Sequence, residues 1–333
     1  MNYIGSKYSL LDFIDSVVSE FTDSHSRQVV ICDAFAGTGA VGVFFRRKGH
    51  KVIANDIQYY SYVINKNLIE NPPLNLVKLD YLNNLEPIEG FIYQTYCAGS
   101  GSGRMYFSDE NGKRCDVIRQ EIERMKTAGE IDEHEYYAYL AALIEAIDKV
   151  ANTASVYGAF LKSLKKSAQK PMKLVQIPSS DTVEGKVYNS DINTLINEIS
   201  GDILYLDPPY NTRQYSSNYH LLETIARYDS PEVRGKTGLR ETTAQKSKYS
   251  SKRTVVAEFE EIIKNAKFKV IILSYNNEGL MSVDTVREIM SKYGEYYLRE
   301  KEYRRFKADK TENRNHKASG TKEYLHVLVK RDA

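Results

Sequence analysis

At 333 residues, 42% hydrophobic and 27% charged, the sequence describes a globular chain with enough apolar material for one large core, or for one domain carrying an insertion. A chain disordered throughout is excluded, as is a membrane helix, since no stretch approaches ~20 apolar residues; without a secretory signal at the N-terminus the expected location is the cytoplasm. A net charge of +2 excludes binding of a polyanion by a global field, and Cys32, Cys97 and Cys115 lack metal-ligand spacing, so no metal is expected.

Tyr3-Ile4-Gly5-Ser6-Lys7 opens the chain, and Leu10, Leu11, Ile14, Val17 and Val18 then recur at helical spacing. Lys7 is either a donor placed to clamp a carboxylate or an ordinary surface lysine. Val29 to Cys32 reads as a buried strand, followed by Asp33-Ala34-Phe35-Ala36-Gly37-Thr38-Gly39 and an apolar helix through Val41 to Phe45. Strand, glycine turn and helix together form a nucleotide-binding unit, because Gly37 and Gly39 permit positive φ and close approach of a ligand to the turn. The spacing is neither that of a dinucleotide fingerprint nor that of a P-loop. Val52 to Asn55 is the next strand, and Asp56 at its end is placed to accept both hydroxyls of a ribose.

A helix through Tyr60, Val63, Ile64 and Asn67 stops before Pro72-Pro73. From about residue 86 to 185 the short apolar strands disappear. In their place are a loop with Gly99, Gly101 and Gly103, an Asn111-Gly112 turn, and two helical stretches, the second opened by an Asp132/Glu135 capping box. Beyond Asn152, Lys162, Lys165, Lys166, Lys170 and Lys173 recur at three- and four-residue spacing. That pattern describes a helix whose positive face meets phosphates or simply faces solvent. Val187 to Asp191 resumes the strand pattern. Asp191 and Asp80 are alternative acidic strand ends near the ligand.

Ile203 to Leu206 is a buried strand broken at once by Asp207-Pro208-Pro209-Tyr210. The prolines fix the backbone, leaving the Asp207 carboxylate and the Pro208 carbonyl as acceptors beside an aromatic face at the carboxyl end of a strand. This arrangement suits a planar ring with an exocyclic amino group: its hydrogens go to Asp207 and Pro208, and Tyr210 covers its π face. A helix follows from Tyr219 to Tyr228. From Arg234 to Arg253 seven basic residues stand against one acidic residue, with almost nothing apolar; this reads as a coreless, mobile segment, either a loop that meets phosphates, the reading its charge favours, or a plain linker. Its Lys236, Arg240, Lys246 and Lys248, with Arg213, Lys162, Lys165 and Lys166, are the candidate nucleic-acid contacts. Val270 to Leu273 and Leu325 to Val329 are further strands, with mixed-charge, solvated surface over Arg299 to Lys317 between them.

The order of these motifs resembles the amino-group DNA methyltransferases, and DPPY within the longer run DPPYNTRQYSSNYHLLETIARYD is similar to the adenine-N6 enzymes of type II restriction systems. The order of glycine turn, insertion and DPPY is that of their alpha type. The resemblance implies a class I S-adenosylmethionine-dependent methyltransferase fold, an α/β doubly wound, mostly parallel sheet. Residues 1–85 and 186–333 would form the catalytic domain, and residues 86–185 a largely helical target-recognition insertion. It implies S-adenosylmethionine as cofactor, bound by Tyr3, Lys7, Asp33, Phe35, Gly37, Gly39, Asp56, Asp191 and Asp207, with Asp191 preferred to Asp80 at the cofactor adenine. The catalytic set is Asp207, Pro208, Pro209 and Tyr210, acting on an adenine flipped out of double-stranded DNA. A cognate endonuclease is a possible partner. The remaining readings are an RNA or protein-amide methyltransferase, a non-catalytic DNA-binding protein, and a nicotinamide oxidoreductase, the last disfavoured by the FxGxG spacing.

Overall fold

The computed structural model describes residues 5–23, 25, 27–179, 185–303 and 321–331. Its main sheet contains β1 (Val30–Asp33), β2 (Lys51–Asn55), β3 (Gly185–Tyr188), β4 (Ser200–Leu206), β5 (Lys267–Asn276), β6 (Gly294–Tyr303) and β7 (Thr321–Lys330). The strand order is 3-2-1-4-5-7-6. The strands from β3 across to β5 run parallel, and β7 enters antiparallel between β5 and β6. The longer helices are α1 (Leu11–Phe21), α2 (Ala40–Arg47), α3 (Tyr59–Asn65), α4 (Asp109–Thr127), α5 (Glu133–Lys149), α6 (His220–Arg227), α7 (Val255–Asn265) and α8 (Val283–Ser291).

Alternation along the strands sorts the core into two layers. Ile31, Ile203, Tyr205, Val270 and Ile272 face α1 and α2, while Cys32, Leu204, Leu206, Ile271 and Leu273 face α7 and α8. Helices on both faces make the sheet doubly wound. Burying Phe259, Ile262 and Ile263 of α7 contributes roughly 1.5–3 kcal/mol per side chain, which holds that helix on the sheet.

A third core is helical. α4 and α5 pack with α3, with Leu76 and Leu82, and with Tyr219, Leu221, Leu222 and Ile225 around α6. The capping box at the start of α5 is formed, with Asp132 Oδ1 accepting from Glu135 N at 2.8 Å and Glu135 Oε2 accepting from Asp132 N at 3.0 Å.

Several sequence expectations are corrected. Asn111-Gly112 is not a turn but part of the first turn of α4, capped by Ser108. Gly112 is needed there because a Cβ would lie 2.1 Å from Cys97 Sγ. Asp80 does not end a strand; it lies in the short helix Leu79–Asn83. The lysine-rich stretch after residue 152 is not a helix either. It runs as turns, has no apolar stripe to bury, and reaches Pro171. Part of the expected solvated surface, Arg299 to Tyr303, belongs to edge strand β6; residues 304–317 of that stretch lie outside the described residues.

Candidate active site

The strand order reverses between β1 and β4, so their carboxyl ends open a crevice at the topological switch point. β1 ends in Asp33 and β4 runs directly into Asp207. Around this edge lies a cleft lined by Phe35, Gly37, Asp56, Asp191, Asp207 and Tyr249, among others. A smaller compartment lined by Lys7, Asp33, Gly37, Tyr205 and Asp207 continues from it.

The glycine turn is held from three sides. Gly37 sits at φ +52°, its N–H donates to Asp56 Oδ2 at 2.9 Å, and its carbonyl accepts from Ser61 Oγ and from Asn65 Nδ2 at 3.0 Å. Gly39, at φ +80°, begins α2 where a Cβ would meet Asn65 Oδ1 at 2.6 Å. The Gly37 N–H is thus committed to Asp56, and the residue lines both compartments. Asp33 is buried and accepts from Gly42 N at 3.3 Å, so it caps the first turn of α2 from the end of the strand. Asp56 also accepts from Gln58 N at 2.8 Å, which leaves lone pairs on both oxygens for a polyol. Asp191 faces the same cleft from the start of the short helix Ile192–Leu195, where it accepts from Asn193 N at 2.9 Å. Asp80 does not line the cleft. Tyr3 lies outside the described residues.

At the DPPY end, Lys7 Nζ lies 3.1 Å from Asp207 Oδ1 and 2.9 Å from Glu323 Oε1. Tyr210 packs edge-on against Tyr275, with ring centroids 6.3 Å apart, and its carbonyl accepts from Leu280 N at 3.0 Å. The ring is thereby fixed beside the carboxylate. Glu323 and Ser61 carry no motif and are absent from the set named on sequence grounds. Ser61 stands one turn before Asn65 on α3, the only hint of their shared partner.

The basic segment after Arg234 differs from the expected mobile loop. It begins as a small hairpin, Val233–Arg234 with Leu239–Arg240, pinned to the helical region by Tyr96 OH donating to Gly238 O at 2.9 Å and Arg104 Nη2 donating to Gly235 O at 3.1 Å. It then crosses the mouth of the cleft as a strap. Tyr249 is buried edge-on against Phe35 and donates to Asn193 Oδ1 at 2.7 Å, while Gln214 exchanges two hydrogen bonds with Ser247, at 3.1 and 2.8 Å. One buried tyrosine supplies the anchor that the composition conceals.

The candidate phosphate contacts fall into two groups. Lys162, Lys166, Arg213, Lys236 and Lys246 are exposed and form no close ion pair among the described residues, although Lys246 lies near enough to Glu241 to lower its carboxyl. Arg240 is held by both oxygens of Asp229 at 2.9 and 2.6 Å, Lys248 pairs with Glu258 at 3.1 Å, and Lys165 Nζ donates to the Thr153 carbonyl at 2.7 Å. Lys246 and Lys248 lie on the strap at the cleft rim. The loop carrying Lys162 to Lys166 adjoins the segment after DPPY, through Tyr157 N donating to Asn218 O at 2.8 Å.

Burial pushes the carboxyls of this edge upward: Asp33 to about 7, with Asp207 adding to the effect, and Asp56 and Asp207 to about 6, the latter in spite of Lys7. A raised folded-state value means that this stability is present at low pH and is lost as pH rises through the folded value. Buried His220 and His326, lowered to about 4, act oppositely, their stability being lost as pH falls below about 6.5. Three carboxyls outweigh two histidines, so thermal melts of the ligand-free protein are expected to show the stability from these groups falling as pH rises from about 4 to 7 and levelling off above it. This fall should flatten or reverse in Asp33→Asn; an unchanged slope in that variant would assign it elsewhere.

The family model described as D12 class N6 adenine-specific DNA methyltransferase matches residues 3–289. Over 334 residues the chain is 57% identical to the type II methyltransferase M.NlaIII of Neisseria lactamica, covering 99% of both chains. It is 40% identical to the type II methyltransferase M.FokI of Planomicrobium okeanokoites, spanning 99% of this chain and 53% of that protein. With the type II methyltransferase M.CviAII of Paramecium bursaria Chlorella virus 1 it shares 36% identity, over 92% and 93% of the two chains.

Proposed function

The chain belongs to the D12 class of N6 adenine-specific DNA methyltransferases, and from that premise we propose that it methylates N6 of an adenine flipped out of double-stranded DNA, as the modification enzyme of a type II restriction system. The observation that carries the reading is the placement of Asp207 at the switch point, where it lines both compartments together with Gly37 of the glycine turn, with Tyr210 following it in the chain and packed on Tyr275. A cognate endonuclease acting on the same sequence is part of the proposal.

The cleft fits S-adenosylmethionine. Asp56 and Asp191 offer acceptors at one end, and the buried Gln58 Oε1 and Ser216 Oγ, unpartnered within the described residues, face the same space. When bound, the cofactor supplies an electrophilic methyl group. Asp56 takes the ribose hydroxyls, Asp191 the adenine, and Lys7 with the Gly5 turn the methionine end. Phe35 and Tyr249 wall the cleft.

The target adenine must leave the duplex, because N6 is otherwise paired and stacked. Asp207 and the Pro208 carbonyl accept its amino hydrogens and turn the nitrogen lone pair toward the methyl donor. Tyr210 stacks on the extruded ring. As N6 becomes cationic, the Asp207 carboxylate stabilises the charge. The acidic surplus proton leaves to water. Residues 86–185 form the target-recognition region in this reading, with Lys162, Lys165, Lys166 and Arg213 along the phosphates.

Modified-base sequencing of genomic DNA from a host expressing the chain tests the reading: N6-methyladenine at one short motif is expected, and its absence overturns it. The strap gives a finer test. Arg240 and Lys248 are already paired, so replacing Lys236 and Lys246 together by alanine should flatten the salt dependence of DNA binding by roughly 0.9 per lost contact. The weakening should be equal for target and non-target duplexes. An unchanged salt slope would make the strap a cleft wall only.

A further inference from the structure

Antiparallel β7 starts at the same sheet edge where the parallel strands end, because its register pairs Glu323 with Asn276 at the end of β5. An acidic side chain is thereby delivered behind the catalytic carboxylate. Glu323 Oε1 accepts from Lys7 Nζ at 2.9 Å and from Ser274 Oγ at 3.1 Å. Lys7 and Glu323 are each 7% exposed in their side chains, whereas Asp207 keeps 17%. Lys7 and Asp207 line the smaller compartment; Glu323 does not line either compartment.

One ammonium is thus shared by two carboxylates. Lys7 makes its shortest approach to Asp207 at Oδ1, and no second cation pairs with Asp207 among the described residues. Without Glu323, Lys7 and Asp207 would close into a neutral pair, and the ammonium would compete with the adenine amino group for the same oxygens. With it, the trio carries a net charge of about −1 next to the nitrogen that becomes cationic. Charges this close act through little solvent, so the difference counts most in the transition state.

We infer that Glu323 is a positioning residue for methyl transfer, holding the Lys7 ammonium from behind so that Asp207 keeps a free oxygen and an uncompensated charge for the adenine amino group. The inference rests on the catalytic role proposed for Asp207. The groups facing Asp207 are Asp33 on β1, Lys7 from the N-terminal turn, Glu323 on β7, Tyr205 on its own strand, and Tyr210 and Tyr215 beyond it. Of these, Lys7 is held well above its ordinary range by its carboxylate partners, against the opposing effect of burial, and stays charged at all working pH values. Glu323 raises the Asp207 carboxyl and Lys7 lowers it, so neutralising Glu323 moves Asp207 downward.

Single-turnover methylation of a duplex oligonucleotide with S-adenosylmethionine, followed from pH 5 to 8.5, tests this in wild type, Glu323→Gln, Glu323→Asp and Asp207→Asn. The isosteric Gln keeps both contacts and the fold but removes the charge. Its plateau rate should fall on the order of tenfold, and its acid midpoint should shift downward by about half a pH unit or more. Glu323→Asp keeps the charge and should restore the midpoint. An unchanged rate and midpoint in Glu323→Gln overturn the inference. Equal midpoint shifts in the Gln and Asp variants also overturn it, since shape and not charge would then matter. Full activity in Asp207→Asn would instead defeat the role given to Asp207 itself.

Discussion

Replacing Asp207 by alanine is expected to lower single-turnover methylation by about two to three orders of magnitude, the cost of losing one preorganised group that faces developing charge. The loss should fall on turnover, because the interaction is stronger in the transition state than in the ground state. The fold should survive. Lys7 keeps Glu323 at 2.9 Å, so the variant does not strand a buried cation. Tyr210→Ala acts on a different step. It removes a stacking surface worth about 1–3 kcal/mol per base, and an adenine analogue that fluoresces when unstacked would report a smaller extruded population. Placing the target opposite a mismatch lowers the cost of flipping, so it should rescue Tyr210→Ala more than Asp207→Ala. Equal rescue of both, or full activity in Asp207→Ala, would remove these residues from the roles given to them.

What is legible in the sequence follows from where physical chemistry is local. A short apolar run ended by a single acid marks a buried strand whose next residue meets a crevice, and Asp33, Asp56 and Asp207 all stand in that position. Gly37 and Gly39 announce a backbone conformation that few other residues adopt. Position in the sheet, by contrast, is not written locally. Glu323 lies between Lys322 and Tyr324 in a stretch that looks solvated, and it is buried only because β7 inserts between two other strands. Edge strand β6 is hidden for a related reason: Glu295, Arg299, Glu300 and Lys301 lie along a strand with one neighbour, and charge of this kind is how an edge avoids further pairing. The helical reading of Lys162 to Lys173 fails because spacing alone does not make a helix without an apolar face to bury. The strap misleads for the opposite reason, since a single buried Tyr249 outweighs the polar residues around it.

Gly37→Val should abolish cofactor binding in a protein that remains folded, with affinity falling by at least about a hundredfold, or ~2.7 kcal/mol. At φ +52° an L residue carries a strain of roughly 1–2 kcal/mol, and more where it is β-branched. The turn has no inexpensive way to relax. Rotating the backbone to relieve the introduced valine would break the N–H bond to Asp56 at 2.9 Å or withdraw the carbonyl from Ser61 and Asn65. Either movement displaces the carboxylate that receives the ribose. If the turn holds instead, the new side chain occupies space where both compartments meet, since Gly37 lines each of them. Both routes end in lost affinity, and Gly37→Ala should fall between the valine variant and wild type because it adds strain with less bulk. The sheet is untouched, so the thermal transition of the ligand-free variant should stay cooperative while the stabilisation by added S-adenosylmethionine disappears. Calorimetry showing unchanged affinity in Gly37→Val would mean that the cofactor does not approach this turn, and the assignment of the cleft would fall with it.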